Sequence, residues 1–280
     1  MVGLRRSIYK SPAQLRAMME PGLITAAALA AVREHIAPGV ATDELDRVAS
    51  EVITARGAVS NFQLVRGYRH TICASVNEQV VHGIPSERVL QPGDIISVDA
   101  GAQYRGWNGD SAFSVVLPDP DRPEIVAERE RLSQVTEGSL WAGIAALSRA
   151  THLGEVGAAV QEHVEANAPE GGYGILREYV GHGIGRKMHE SPSVFNYRTP
   201  DRGAEVRPGL VVAIEPMVVA GSDATFVEDD GWTVSTVDGT AGSHWEHSVA
   251  VHDDGIWVLT APDGGAAGLE PFGVTPVRMR

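Results

Sequence analysis

Two aspartates on the arms of one apolar hairpin constrain this chain more than any other feature. The stretch 95–117, IISVDAGAQYRGWNGDSAFSVVL, places Asp99 after Ile95, Ile96 and Val98, and Asp110 before Phe113, Val115 and Val116. Both carboxylates fall where strands are buried. Strand interiors disfavour aspartate. A buried carboxylate is costly unless it is paired or binds a metal, so two on one hairpin call for a cation between them. The turn material Tyr104-Arg105-Gly106 and Asn108-Gly109 folds the arms back and brings positions 99 and 110 side by side. Arg105, the only basic residue between them, is expected to face water on the turn. A capping Asp plus a turn Asp is the ordinary alternative. What separates the two readings is whether the rest of the chain supplies matching ligands.

The chain has 280 residues, enough for one large domain or two fused halves with ample core. Its 43% hydrophobic and 21% charged residues are the balance of a globular enzyme. A net charge of −13 argues against a nucleic-acid surface. Cys73 is the only cysteine, which leaves no intramolecular disulfide and no zinc finger. Basic residues in MVGLRRSIYKSP have no apolar segment behind them, so no signal peptide is expected, and no apolar run is expected to approach the length of a membrane span. These observations together predict a cytoplasmic protein.

Ser11-Pro12 caps and opens a helical stretch to about Ile36, with Pro21-Gly22 expected to kink or split it. A second helix runs from Thr42 to Gly57, with Asp43 and Glu44 in its first turn. Strand and loop fill 62–81, with Ile72-Cys73-Ala74 the best strand, and the hairpin follows. Helix returns at 124–147 and 155–166, then strands at 210–219, 232–237, 245–251 and 256–259. Two helices followed by strands therefore occur twice. The division is an N-terminal arm at 1–10, a single domain at 11–260 with halves of about 11–118 and 123–260, and a Gly- and Pro-rich tail at 261–280 that fades from order.

The second half supplies the other ligands. Tyr179-Val180-Gly181-His182-Gly183-Ile184-Gly185 sets a histidine among glycines, which are expected to let the backbone approach whatever the imidazole binds, and His189 lies seven positions on. Val211-Val212-Ala213-Ile214-Glu215-Pro216-Met217 ends an apolar strand with a glutamate, and His244-Trp245-Glu246-His247-Ser248-Val249 holds another within a strand-like run. Singly, each has a bland explanation as a satisfied histidine or a solvated strand end. Jointly, Asp99, Asp110, His182, Glu215 and Glu246 form a hard to borderline donor set suited to Mn, Fe, Co, Ni or Zn. Four carboxylates are too much charge for one ion. Two divalent ions, about 3.5 to 4 Å apart, balance them.

These residues, with HGIPS at 82–86, GHGIG at 181–185, IEPM at 214–217 and HWEHS at 244–248, resemble the type I methionine aminopeptidases over roughly residues 11 to 260. The resemblance implies an α/β (α+β) pita-bread fold, in which two pseudo-two-fold related halves with curved antiparallel sheets enclose a dinuclear metal site. It implies that Asp99 is a bidentate ligand of one metal, that His182 and Glu215 bind the other, and that Asp110 and Glu246 bridge both. His82 and His189 would contact substrate near the scissile amide nitrogen and carbonyl oxygen, and Glu215 would shuttle a proton from the attacking water to the leaving amine. A hydroxide bridging two dications would attack the first peptide bond, and one metal with His189 would stabilise the oxyanion. The substrate would be the initiator methionine of nascent chains, cut by a monomer near the ribosome with no membrane partner.

The side-chain pocket suggested by the resemblance comprises Phe62, Val65, Tyr68, Cys73, Met188 and Trp232. Tyr68, Cys73 and Trp232 match the usual pattern, whereas bacterial relatives commonly carry Cys, Tyr and Phe near positions 62, 65 and 188, and Pro near Arg69. Core packing is the plain alternative for these side chains. Three rivals remain open: an Xaa-Pro aminopeptidase or prolidase, which usually carries a large domain before the metal-binding half; a non-catalytic peptide-binding module of the same fold; and a mononuclear iron oxygenase, which needs two His and one carboxylate on one metal.

Overall fold

The first helix, α1 (Pro12–His35), begins where Ser11 and Gln14 cap each other's backbone and Pro12 sits in the first turn. The computed structural model describes residues 7–279; of the expected N-terminal arm, residues 1–6 lie outside them. Contrary to the expected break, α1 runs uninterrupted through Pro21. The Thr25 hydroxyl donates to Pro21 O at 2.9 Å and accepts from Ala102 N at 3.1 Å, tying the helix to the hairpin beneath it. Gly22 is needed for contact rather than for a bend. A Cβ there would stand 2.4 Å from Leu259 O, and one at Gly109 would stand 2.7 Å from Gly22 N.

Contrary to the expectation that no apolar run approaches the length of a membrane span, α1 could cross a membrane by length and composition, with mean hydropathy 1.3. Half of that apolar window is buried inside the fold, which is what a core helix requires.

The first half continues with α2 (Thr42–Ala55), β1 (Val59–Ser60), β2 (Ile72–Val76), β3 (Gln79–Val81), β4 (Ile95–Tyr104) and β5 (Trp107–Val116). The second half repeats the order with α3 (Pro123–Leu147), α4 (Gly154–Asn167), β6 (Gly174–Ile175), β7 (Gly181–Gly183), β8 (Glu190–Val194), β9 (Val211–Ile214), β10 (Met217–Val219), β11 (Thr225–Val227), β12 (Val234–Thr236), β13 (Gly242–His244), β14 (Glu246–His252), β15 (Gly255–Val258) and α5 (Ala266–Leu269). The expected strand at 210–219 divides at Glu215-Pro216, because proline has no N–H for the ladder.

The main sheet is antiparallel in the order β1-β4-β5-β14-β9-β7-β8, with β2 beside β4 and β15 beside β14. The halves join at β5 and β14, where Glu246 pairs with Ala112 and His247 with Ser111. The hairpin turn is the pair Arg105-Gly106, both with positive φ (50° and 74°), as a two-residue connection requires. Asn108 and Gly109 lie in β5 rather than in the turn, and Arg105 is exposed as expected.

Alternation decides what each face of the sheet does. Ile72, Ala74, Val76, Ile96, Val98 and Ala100 pack toward α1 and α2, while Val212, Ile214, Val249 and Val251 pack toward α3 and α4. The intervening residues emerge on the opposite face. Two three-stranded sheets, β13-β10-β6 and β11-β12-β3, complete the strand framework. The tail does not fade from order: Leu269 is fully buried among α3 and α4 residues, and Val277 N donates to Ile256 O.

Candidate active site

Sheet register alone brings the five proposed ligands together. Cys73 pairs with Asp99, Asp99 with Ala112, and Ala112 with Glu246. One step beyond the His247–Ile214 pair, Glu246 falls opposite Glu215. Asp110 lies two residues along β5 from Ala112, and His182 pairs with Ala213, two residues before Glu215. All five therefore share the face turned away from the helices, one from each of the adjacent segments β4, β5, β14, the end of β9, and β7. Asp99 and Asp110 are diagonal neighbours, not directly opposed: Asp110 faces Gly101.

Ligand atoms of Asp110, His182 and Glu246 lie within 4.8 Å of one another. His182 Nε2 is 3.4 Å from Glu215 Oε1. His182 Nδ1 donates to Gly183 O at 3.0 Å, so Nε2 carries the lone pair and aims it at the carboxylates. The flanking glycines serve the sheet rather than the imidazole's ligand. A Cβ at Gly181 would meet Ala213 O at 2.4 Å, and one at Gly183 would meet Ser191 O at 2.2 Å.

The electrostatics demand a cation. Asp99 Oδ1, Asp110 Oδ1, Glu215 Oε1 and Glu246 Oε1 are buried without a hydrogen-bond partner. Among the described residues, no lysine or arginine forms an ion pair with any of these carboxylates. Burial raises the Asp99 pKa to about 8. Burial and then repulsion from Asp99 push Asp110 and Glu215 well up, and Glu246 rises through burial and then through Asp110, Glu215 and Asp99. His182 is lowered to about 4 by burial and by His189, so it is neutral and free to ligate near pH 7. Four orphaned carboxylates and one neutral imidazole fit divalent metal.

Beside this cluster opens a cavity of about 150 Å³. All six pocket candidates line it: Phe62, Val65, Tyr68, Cys73, Met188 and Trp232. Tyr68 organises that wall. Its hydroxyl donates to Ile72 O at 2.6 Å, and its ring meets Trp232 edge-on at 5.1 Å. The Cys73 thiol is pushed up by burial and then by Asp99, which makes it an inert lining group.

His82 and His189 also line the cavity. His82 has a φ of 60°, unusual for a residue with a Cβ. Gly83 locks the segment after it, accepting from Ala74 N and donating to Ser75 Oγ. The His82 ring stands edge-on to Tyr179 at 5.5 Å, and its pKa is lowered to about 4 by burial and then by His189. His189 is exposed at the mouth, its ring 4.5 Å from that of His182.

Three further lining residues escaped the sequence reading: Val81, Met217 and His244. The signal for His244 was its separation of two from Glu246, which puts both on one side of an extended chain.

Known proteins resemble the chain along most of its length. Metallopeptidase family M24 matches residues 16–253. The methionine aminopeptidase 1 of Mycobacterium tuberculosis is 45% identical over 264 residues, covering 92% of this chain and 96% of that one. That of Bacillus subtilis is 42% identical, covering 90% and 98%. The crystal structure of methionine aminopeptidase from Thermotoga maritima superposes with a TM-score of 0.83 at 37% identity, covering 90% of this chain and 98% of that one. A prolidase from Pyrococcus furiosus, at 19% identity and a TM-score of 0.70, shares the fold. The pita-bread expectation therefore holds, and the chain belongs to metallopeptidase family M24, within its methionine aminopeptidases.

Proposed function

We infer that this chain is a metal-dependent aminopeptidase that removes methionine from the N-termini of polypeptides. One observation carries the reading: five ligand-competent side chains, four of them carboxylates with a buried oxygen that lacks a partner, border a small cavity with two further histidines, His82 and His189, on its wall. The relatives' names point to the same activity.

In this reading two divalent cations, of Mn, Fe, Co, Ni or Zn, are held in the cluster. Asp99 would hold one, His182 and Glu215 would hold the other, and Asp110 and Glu246 would contribute to both. Bound there, they supply Lewis acidity that polarises the scissile carbonyl and activates water. The chain's own residues do the rest. The apolar wall takes the unbranched methionine side chain, whose thioether suits contact with Tyr68 and Trp232. Glu215 accepts the proton that water loses as its oxygen bonds to the carbonyl carbon. Glu215 then delivers that proton to the amine as the C–N bond breaks. His189 donates toward the carbonyl oxygen, and His82 accepts from the scissile amide N–H. The cellular setting inferred is the cytoplasm, with nascent chains as substrates near the ribosome and the enzyme acting as a monomer.

The test is hydrolysis of Met-Ala-Ser, Leu-Ala-Ser and Ala-Pro-Ser by metal-stripped protein reloaded with Mn, Fe or Co, with Asp110→Asn as control. Metal-dependent release of Met alone, abolished by D110N, supports the reading. Equal release of Leu overturns the specificity, and no release with any metal overturns the activity.

A further inference from the structure

His244 has no part in the chemistry described so far, yet nothing else explains its ring. It ends β13 and is 2% exposed. Its backbone is anchored: His244 N donates to Ser97 Oγ at 3.2 Å and to Ser114 Oγ at 3.0 Å. Neither ring nitrogen has a hydrogen-bond partner, although buried polar atoms are normally satisfied. Nε2 points at Glu215, 4.0 Å from Oε2. The other carboxylate oxygen, Oε1, faces His182 Nε2 at 3.4 Å. Glu215 thus stands between two imidazoles, one on each oxygen.

We propose that His244 is a positioning residue for Glu215: its Nε2–H donates to Oε2 and holds Oε1 turned toward His182. The inference rests on the reading of Glu215 and His182 as ligands of a divalent cation. Closing 4.0 Å to a hydrogen bond takes about 1 Å, within reach of a small side-chain rotation when a cation draws Oε1 to His182. Carboxylates that ligate metals are themselves held by hydrogen bonds, which fix their orientation. The Glu215 main chain is already fixed, because Asn196 Nδ2 donates to Glu215 O at 2.9 Å. The side-chain torsions remain to be set, and His244 is a buried donor 4.0 Å from Oε2.

Metal-stripped unsubstituted protein, His244→Ala, His244→Gln and Asp110→Asn are titrated with Co(II) by equilibrium dialysis, and the visible absorption of bound Co(II) is recorded. Thermal unfolding of the metal-free forms checks folding. His244→Leu replaces the alanine variant if that one fails to fold. H244A is expected to weaken Co(II) binding by about 10- to 100-fold, and H244Q, which keeps an N–H donor, to recover it to within about threefold with an unaltered spectrum. Binding by H244A as tight as in the unsubstituted chain overturns the proposal and leaves the ring as packing. Failure of H244Q to rescue, with a changed Co(II) spectrum, also overturns it, by making the imidazole a ligand. If D110N loses binding while H244A does not, only the role of His244 falls. If D110N binds normally, the underlying ligand reading fails.

Discussion

At the scale of single residues, the site is governed by what burial does to protons. Asp99, raised to about 8, and the three carboxylates around it favour their neutral forms without metal, whereas His182, lowered to about 4, is already neutral. Metal must therefore displace protons from carboxylates and not from the imidazole. Affinity for Mn or Co is expected to rise with pH as Asp99 and its neighbours lose their protons, with proton release detectable by calorimetry in buffers of different ionisation enthalpy. In the metal-free chain the same shift acts on stability. The contribution of Asp99 is full below the unfolded carboxylate pKa of about 4 and is lost as pH rises through about 8. Substituting His82 or His189 by alanine is expected to lower kcat by about 10²-fold while leaving metal content unchanged, measured by steady-state hydrolysis of Met-Ala-Ser and metal analysis. Asp99 and Asp110 were legible in the sequence because aspartate is out of place in a strand. His244 offered only its separation of two from Glu246, and its unpartnered nitrogens are visible only in space.

At the scale of elements, the contact of α1 with the hairpin is a tight constraint near the ligands. Gly22 and Gly109 let the helix backbone lie directly on β5, one residue from Asp110. Gly109→Ala is expected to destabilise the chain by about 1–3 kcal/mol through overpacking, read from the urea unfolding midpoint, and to weaken metal binding by displacing Asp110. Sequence punctuation misled here for a physical reason. Pro21-Gly22 reads as a helix break and Asn108-Gly109 as a turn, because both pairs carry the local chemistry of chain reversal. Tertiary contact overrode them, and the glycines mark where two backbones meet. The second pair of helices, by contrast, kept close to the expected bounds: 124–147 and 155–166 became Pro123–Leu147 and Gly154–Asn167.

At the scale of the whole molecule, the seam between β5 and β14 unites two helix-backed halves, and the metal cluster straddles it. Stripping metal leaves buried carboxylate oxygens without a partner on both sides of that seam, so metal is expected to raise the thermal unfolding midpoint. Saturation at 100 times Kd corresponds to about 2.7 kcal/mol, and the stripped protein should regain it on reloading. Truncation after Ala261, which removes Leu269 and the 270–279 segment from the surface of the second half, is expected to lower the midpoint further, measured by calorimetry. The repeated order of two helices then strands could be read in advance. The strands β6 to β8 could not, because two- to five-residue segments give no periodic pattern. That each of five neighbouring segments contributes one ligand also limits how the site can be redesigned or can drift. A ligand can be moved along its strand only in steps of two residues, since a single step turns it into the helix-packed core. An insertion or deletion of one residue within β4, β5 or β14 is then a change of donor set and not merely a change of shape, so the spacing of these strands records the metal they were built to hold.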